Sequence, residues 1–120
     1  MARILVIDDE PAFCDLCAQV LREIGHAVTT SLDGNDGLAA FRADPSDVVI
    51  VDLHMPHSGL QVVRVLRELH PRLPLIAMTG HGRWRLDLAG GLGADFLLDK
   101  PFTAEALKNI VTSALPAKAK

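Results

Sequence analysis

Stretches with a strand-like apolar pattern alternate strictly with stretches of helical periodicity, five times along the 120 residues. Two of the strand-like stretches, VVIV and LIAM, are continuous apolar runs, which is typical of strands covered on both faces. Strict alternation predicts a parallel sheet with right-handed crossovers and helices on its two faces. The length fits one domain, and the 49% apolar content suffices for a core without disulfide support.

The elements can be placed from periodicity and from residues typical of helix ends. Strands are predicted at Arg3–Ile7, Ala27–Ser31, Asp47–Val51, Leu75–Thr79 and Phe96–Leu98. Helices are predicted near Pro11–Ile24, Asn35–Ala43, Ser58–Leu69, Arg83–Ala89 and Ala104–Leu115. Pro11 suits a first helical turn, Gly25 a helix end and Thr103 an N-cap. The glycines at the end of the fourth predicted helix destabilise it, so we expect that helix to be short or mobile.

Composition narrows the classes of function. The net charge of −3 and the absence of a basic stripe interleaved with aromatic residues argue against nucleic acid as a direct partner. No apolar run approaches the roughly 20 residues of a membrane span, and the start, MARILVIDDE, does not fit a signal peptide. We therefore expect a cytoplasmic protein with no membrane partner.

The two cysteines, Cys14 and Cys17, form a single CxxC motif. Such a pair near a helix start can carry redox chemistry. Helical spacing favours another interpretation, because Cys17 falls on an apolar helix face together with Phe13, Leu21 and other large apolar residues. The sequence predicts a core role for Cys17 and a position beside that face for Cys14.

Charged and polar residues stand where four of the five predicted strands end. In chain order they are Asp8, Asp9 and Glu10, then Asp52, then Thr79 with Gly80, and then Lys100 with Pro101. Ligands of open parallel sheets bind beyond the carboxyl ends of the strands, so these groups are expected to share one edge. Clustered carboxylates repel one another, and hard oxygen donors favour Mg²⁺, with Mn²⁺ as a second choice.

The chemistry expected at this edge is phosphoryl transfer. The Asp52 carboxylate can attack phosphorus and form an aspartyl phosphate. Such transfer needs positioning and neutralisation of the phosphoryl oxygens, for which Lys100 supplies a positive charge and Thr79 a hydroxyl donor. Each residue alone has a structural explanation, for example a solvated helix start or a turn. The four strand ends together are what point to a site.

The segments ILVIDDEP, VIVDLHMP, IAMTGHG and GADFLLDKPF resemble the receiver domain of two-component response regulators. The resemblance covers essentially the whole chain and predicts a receiver domain over residues 1–116, with a frayed tail at 117–120. It implies a doubly wound, flavodoxin-like α/β fold with five helices and a five-stranded parallel sheet in the order 2-1-3-4-5.

The resemblance also implies roles for individual residues. Asp52 accepts a phosphoryl group from a sensor histidine kinase. Asp9 binds Mg²⁺ directly, Asp8 does so through water, and the backbone carbonyl of His54 completes the protein ligands. Thr79 is the switch hydroxyl, and Lys100 contacts the phosphoryl group and precedes a cis bond to Pro101.

The chain departs from the family pattern at several points. Gly59 stands seven positions after Asp52, where the family usually has eight, and Thr79 to Lys100 spans 21 positions, one fewer than expected. Leu97 occupies the position of the usual switch aromatic, and Phe96 points to the other face of its strand. His54 and His81 follow Asp52 and Thr79 by two residues. They are explained most simply as two exposed loop histidines, and the alternative hypothesis is that they tune the phosphoryl lifetime.

Three functions are compatible with these residues. The first is a phosphorylation switch that alters binding of an unknown output protein, with change expected around the fourth predicted helix, the fifth strand and the last helix. The second is a degenerate receiver that binds proteins without being phosphorylated. The third is a phosphatase of the haloacid-dehalogenase type, which His54 disfavours, because such enzymes need an acid at that position.

Overall fold

The structure is a computed structural model that describes residues 2–53, 59–80 and 93–115. Its centre is a five-stranded parallel sheet in the order β2-β1-β3-β4-β5. The strands are β1 (Arg3–Ile7), β2 (Ala27–Ser31), β3 (Val48–Asp52), β4 (Leu75–Thr79) and β5 (Phe96–Asp99). The predicted fold class and strand order are confirmed. The third strand begins and ends one residue later than predicted, which makes Asp52 its last residue.

Four helices belong to the described part of the chain. They are α1 (Pro11–Glu23), α2 (Gly34–Ala43), α3 (Gly59–Leu69) and α4 (Ala104–Ala114). Pro11 opens α1 as predicted, since a first-turn residue needs no backbone donor. Gly25, with a φ of 94°, follows the end of α1, as predicted. At the start of α4, the Thr103 hydroxyl accepts a hydrogen bond from the Ala106 amide at 3.0 Å. The helix predicted near Arg83–Ala89 and the tail at 117–120 lie outside the described residues.

The alternation of side chains along the strands creates two cores, one on each face of the sheet. On one face, Val6 and Ile50 pack with Leu21 of α1 and Val111 of α4. On the other, the next residues of the same strands, such as Ile7 and Val51, pack with residues of α2 and α3. Every residue of β3 is buried, which explains its continuous apolar sequence. Asp52 is therefore held at the end of a fully buried strand.

Arg67, near the end of α3, fixes the start of β5. Its Nε donates to the Gly93 carbonyl at 2.8 Å, and its Nη2 pairs with Asp95 Oδ2 at 2.5 Å. The same Asp95 oxygen accepts from the Leu75 amide at 2.9 Å, at the start of β4. These bonds set the position of the two strands relative to each other, and Lys100 follows directly after β5.

Among the helices within residues 2–53, 59–80 and 93–115, none combines the length and apolarity that a bilayer crossing requires.

Candidate phosphoryl-accepting site

The carboxyl ends of β1, β3 and β5 bring three predicted site residues into contact. Asp8 follows β1, Asp52 ends β3, and Lys100 follows β5. The Lys100 Nζ donates to Asp8 Oδ2 at 2.8 Å and to Asp52 Oδ2 at 3.3 Å. Residues separated by 92 and by 48 positions in sequence thus meet because parallel strands present their ends on one edge.

Asp8, Asp9 and Asp52 form a cluster of carboxylates. One oxygen from each lies within 4.8 Å of the others. Asp8 is fully buried and Asp52 is 3% exposed, whereas Asp9 faces solvent. The Glu10 amide donates to Asp8 Oδ1 at 2.9 Å, so both oxygens of the Asp8 carboxylate have a donor. The cluster therefore has two buried members in defined positions and one exposed member at its mouth.

Negative charges outnumber positive charges in the cluster. The Lys100 ammonium faces Asp8 and Asp52, with Glu10 Oε1 further away at 3.9 Å. Burial lowers the pKa of Lys100, but the hydrogen bond that its ammonium donates to Asp8 and the charges of both aspartates outweigh it and raise the pKa. Lys100 is thus held in its charged form. One ammonium among three carboxylates still leaves an excess of negative charge, which favours a cation.

The donor set fits a hard divalent cation. All three clustered donors are carboxylate oxygens, the ligands that Mg²⁺ and Mn²⁺ prefer, and no sulfur or imidazole ligand accompanies them in the described cluster. Spacing within 4.8 Å is compatible with shared coordination of one ion. His54, whose carbonyl was expected to add a ligand, lies outside the described residues.

Phe13 is a neighbour of Lys100 that the sequence did not identify as part of the site. The Lys100 Nζ lies 4.0 Å from the centroid of the Phe13 ring. Phe13 belongs to the apolar stripe of α1, where its spacing indicates only a core position. No short-range pattern could have revealed this contact, because the two residues are far apart in sequence.

Gly59 is a second residue whose contact with the site the sequence did not reveal. A Cβ at position 59 would overlap the backbone oxygen of Asp52 and lie 2.9 Å from the Leu53 Cα. The start of α3 therefore rests directly on the backbone of Asp52. The sequence shows a glycine seven positions after Asp52 but does not reveal that the two residues are in contact.

Thr79 and Leu97, two further predicted site residues, lie on β4 and β5. Thr79 ends β4 and pairs in register with Asp99, which places it at the same edge of the sheet. His81 lies outside the described residues, as His54 does. Leu97 is 40% exposed, whereas its neighbours Phe96 and Leu98 pack against the core. Leu97 and Phe96 thus occupy opposite faces of β5, as predicted.

Both cysteines are buried core residues. Cys14 and Cys17 are each 1% exposed and have free thiols. Burial raises the pKa of Cys14 to about 11 and that of Cys17 to about 12, so the reactive thiolate is disfavoured. The Cys14 thiol also donates to the Asp8 carbonyl at 3.3 Å. The core interpretation of Cys17 is confirmed, and Cys14 shares that core.

Comparison with known proteins identifies a family. Residues 4–112 match the response regulator receiver domain family. The probable transcriptional regulatory protein TcrX of Mycobacterium tuberculosis is 38% identical over 104 residues, which cover 85% of this chain and 44% of TcrX. The nitrogen assimilation regulatory protein NtrX of Azorhizobium caulinodans is 31% identical and is covered over 26% of its length. The chain spans less than half the length of these curated relatives.

Solved structures share the fold over nearly the full chain. A response regulator receiver domain protein of Clostridium thermocellum has a TM-score of 0.91 at 35% identity, with 99% of this chain and 98% of that chain covered. The response regulator protein TrrA of Thermotoga maritima, solved in complex with Mg²⁺-BeF, has a TM-score of 0.88 at 35% identity, with 96% of this chain and 100% of that chain covered.

Proposed function

Since this chain belongs to the response regulator receiver domain family, we propose that Asp52 accepts a phosphoryl group from the phosphohistidine of a sensor histidine kinase. The observation that carries the proposal is the convergence on Asp52 of the Lys100 ammonium and of the Asp8 and Asp9 carboxylates. The acceptor is nearly buried, so its oxygens are held in place by the fold. We further propose that the receiver domain comprises residues 1–116.

The proposed reaction is a displacement at phosphorus. An Asp52 carboxylate oxygen forms the new P–O bond while the P–N bond to the kinase imidazole breaks. The electron pair of the broken bond stays on that imidazole, which leaves as a neutral group when its other nitrogen carries a proton. Lys100, already hydrogen-bonded to Asp52, donates to a phosphoryl oxygen, and the Thr79 hydroxyl donates to another.

Asp8, Asp9 and Asp52 are the residues that would hold Mg²⁺ or Mn²⁺, together with the backbone carbonyl of His54. When bound, the ion neutralises negative charge on the carboxylates and on the phosphoryl group. The burial of Asp8 and its bond from the Glu10 amide keep its carboxylate oriented toward the cluster. Exposed Asp9 adds the third carboxylate and makes the cluster reachable from solvent.

The proposed output is altered binding of a partner protein. An aspartyl phosphate adds charge beside β4 and β5 and would bias the arrangement of the neighbouring loops and helices. Leu97 of β5, 40% exposed, belongs to the surface where we expect this change. The greater length of relatives such as TcrX makes a fused output domain a further candidate for that partner. We also propose that His54 and His81 tune the phosphoryl lifetime.

The degenerate receiver is the second candidate. Leu97 has no aromatic ring to turn inward and is partly exposed, which favours a domain that binds its partner without the usual switch. The complete set of Asp8, Asp9, Asp52 and Lys100 at one edge favours phosphorylation.

Intact mass after incubation with acetyl phosphate and Mg²⁺ tests the proposed function. The wild type should gain one phosphoryl group, and Asp52→Asn should gain none. Asp15→Asn, which removes an exposed carboxylate of α1, is the matched control and should behave as the wild type. If the wild type gains no mass, the phosphorylation-independent binding module becomes the better account.

The tuning role of the two histidines has its own test. Decay of the phosphorylated protein should differ between the wild type and the double variant His54→Ala, His81→Ala. Equal decay rates would show that neither histidine tunes the phosphoryl lifetime.

A further inference from the structure

Besides Glu10 Oε1 at 3.9 Å, the ammonium of Lys100 has three groups of neighbours among the described residues of the site. Two are the carboxylate oxygens of Asp8 and Asp52, at 2.8 Å and 3.3 Å. The third is the Phe13 ring, whose centroid lies 4.0 Å from Nζ. The Lys100 side chain is 16% exposed, so little of its surface remains for water. The ring is therefore a principal part of the surroundings of the charge that faces Asp52.

The Phe13 ring is itself held in place. It meets Phe102 edge to face, with centroids 5.6 Å apart and an interplanar angle of 80°. Phe102 follows Lys100 by two residues, whereas Phe13 lies on α1. Helix α1 and the segment after β5 are thus joined twice, once through the two rings and once through the ring and the ammonium. This fixes the direction from which the Phe13 face meets Lys100.

An aromatic face affects a lysine differently from an aliphatic side chain of similar size. Its quadrupole attracts the ammonium, most strongly where water is excluded, as around this mostly buried side chain. The ring also lacks a lone pair that could compete as a strong acceptor with the carboxylate or phosphoryl oxygens. It therefore holds the charge in place while leaving the N–H donors for oxygen ligands.

We propose that Phe13 is a positioning residue of the phosphoryl-accepting site, whose ring face directs the Lys100 ammonium toward Asp52 and the incoming phosphoryl group. The role rests on the proposed function, because it concerns the same reaction. A purely structural role would instead follow from the packing of Phe13 against the core beneath α1. The two roles differ in whether the effect of Phe13 depends on Lys100.

A double-mutant cycle distinguishes the two roles. Rates of phosphorylation by acetyl phosphate with Mg²⁺ are measured for the wild type, Phe13→Leu, Lys100→Ala and the double variant. Phe13→Leu should slow the reaction about fivefold to tenfold in the wild type and less than twofold when Lys100 is already absent. An equal slowing in both backgrounds, or none in the wild type, overturns the positioning role.

Three further variants make the cycle specific. Phe13→Tyr keeps the ring and should restore a rate within about twofold of the wild type. Phe41→Leu removes a buried ring on the other face of the sheet, so it should leave the rate unchanged. Phe13→Met supplies a flexible apolar replacement and takes the place of Phe13→Leu in the cycle if the leucine variant does not fold.

Proton NMR measures the contact without any reaction. The Lys100 side-chain protons next to Nζ should be shifted upfield by the ring in the wild type, Phe13→Tyr and Phe41→Leu, but not in Phe13→Leu or Phe13→Met. An unshifted resonance in the wild type overturns the inference. A wild type that accepts no phosphoryl group overturns the proposed function as well, whereas normal acceptance with a fast Phe13→Leu variant overturns the Phe13 role alone.

Discussion

Gly59, the first residue of α3, lies directly against the backbone oxygen of Asp52, so that a Cβ at position 59 would overlap that oxygen. The clash would be with backbone, which cannot move aside as the end of a flexible side chain can. The close approach sets the start of α3 on the backbone of Asp52, seven positions earlier in the sequence.

Gly59→Ala is therefore expected to displace α3 or the end of β3. The free energy of unfolding should fall by about 2 kcal/mol, a typical cost of overpacking, and phosphorylation of Asp52 should slow. Urea denaturation and the acetyl phosphate assay measure the two effects. Gly80→Ala is the control for the urea measurement, since a Cβ there would meet Lys100 Cβ at an ordinary 3.4 Å. Equal stability of the two variants would contradict the account.

Asp52→Asn is expected to stabilise the protein while removing the phosphoryl acceptor. It takes one charge from a cluster of three carboxylates, Asp8, Asp9 and Asp52, of which the two buried ones pair with the Lys100 ammonium. The free energy of unfolding, measured without divalent cations, should rise by about 1 kcal/mol.

The control for that variant is Asp95→Asn. Its carboxylate pairs with Arg67 and accepts from the Leu75 amide, so its loss should cost about 1 kcal/mol. A less stable Asp52→Asn protein would show that the carboxylate cluster does not carry the excess negative charge inferred here.

Asp9→Asn is expected to weaken binding of Mg²⁺ with little effect on the fold. Asp9 is the exposed member of the carboxylate cluster, so the loss of its charge should weaken the attraction of the cluster for Mg²⁺ without disturbing the packing of the core. Mg²⁺ at ten times its dissociation constant should stabilise the wild type by about 1.4 kcal/mol. The melting temperature should respond less to Mg²⁺ in Asp9→Asn and normally in the control, Asp15→Asn. An unchanged response in Asp9→Asn would remove Asp9 from the ligand set.

The thiols of Cys14 and Cys17 are expected to be inert in the folded protein. Burial raises their pKa values to about 11 and 12 from an ordinary 9.0. A folded pKa above the unfolded one means that their contribution to stability is complete below pH 9.0 and is lost as pH rises through 11 and 12. Labelling by a thiol reagent at pH 8 should be slow until denaturant is added. Rapid labelling or a Cys14–Cys17 disulfide would revive the redox hypothesis.

The fold was largely predictable because local pattern and tertiary environment agree. Because both faces of the sheet are covered by helices, its strands are apolar runs. The predicted bounds of β1 and β4, which rest on such runs, agree with the structure. The third strand was placed one residue early. Asp47 stands before the ladder and uses its carboxylate to accept from the Arg3 amide at 2.9 Å, a role that periodicity cannot reveal.

The candidate site was predictable as a set of strand ends but not as a set of contacts. The predicted parallel sheet places Asp8, Asp52 and Lys100 on one edge, and the structure brings them within hydrogen-bonding distance. The contacts of Phe13 and Gly59 depend on how α1 and α3 pack against those ends, which one sequence does not encode in any local motif. The tuning roles of His54, His81 and Leu97 stay predictions.

The most direct measurement of the central claim is the location of the phosphoryl group. The protein is treated with acetyl phosphate and Mg²⁺ and then reduced with borohydride, which converts an aspartyl phosphate to homoserine, and its peptides are sequenced by mass spectrometry. The account predicts homoserine at position 52 and unchanged aspartate at positions 8 and 9. Unmodified Asp52, or homoserine at another aspartate, would contradict it.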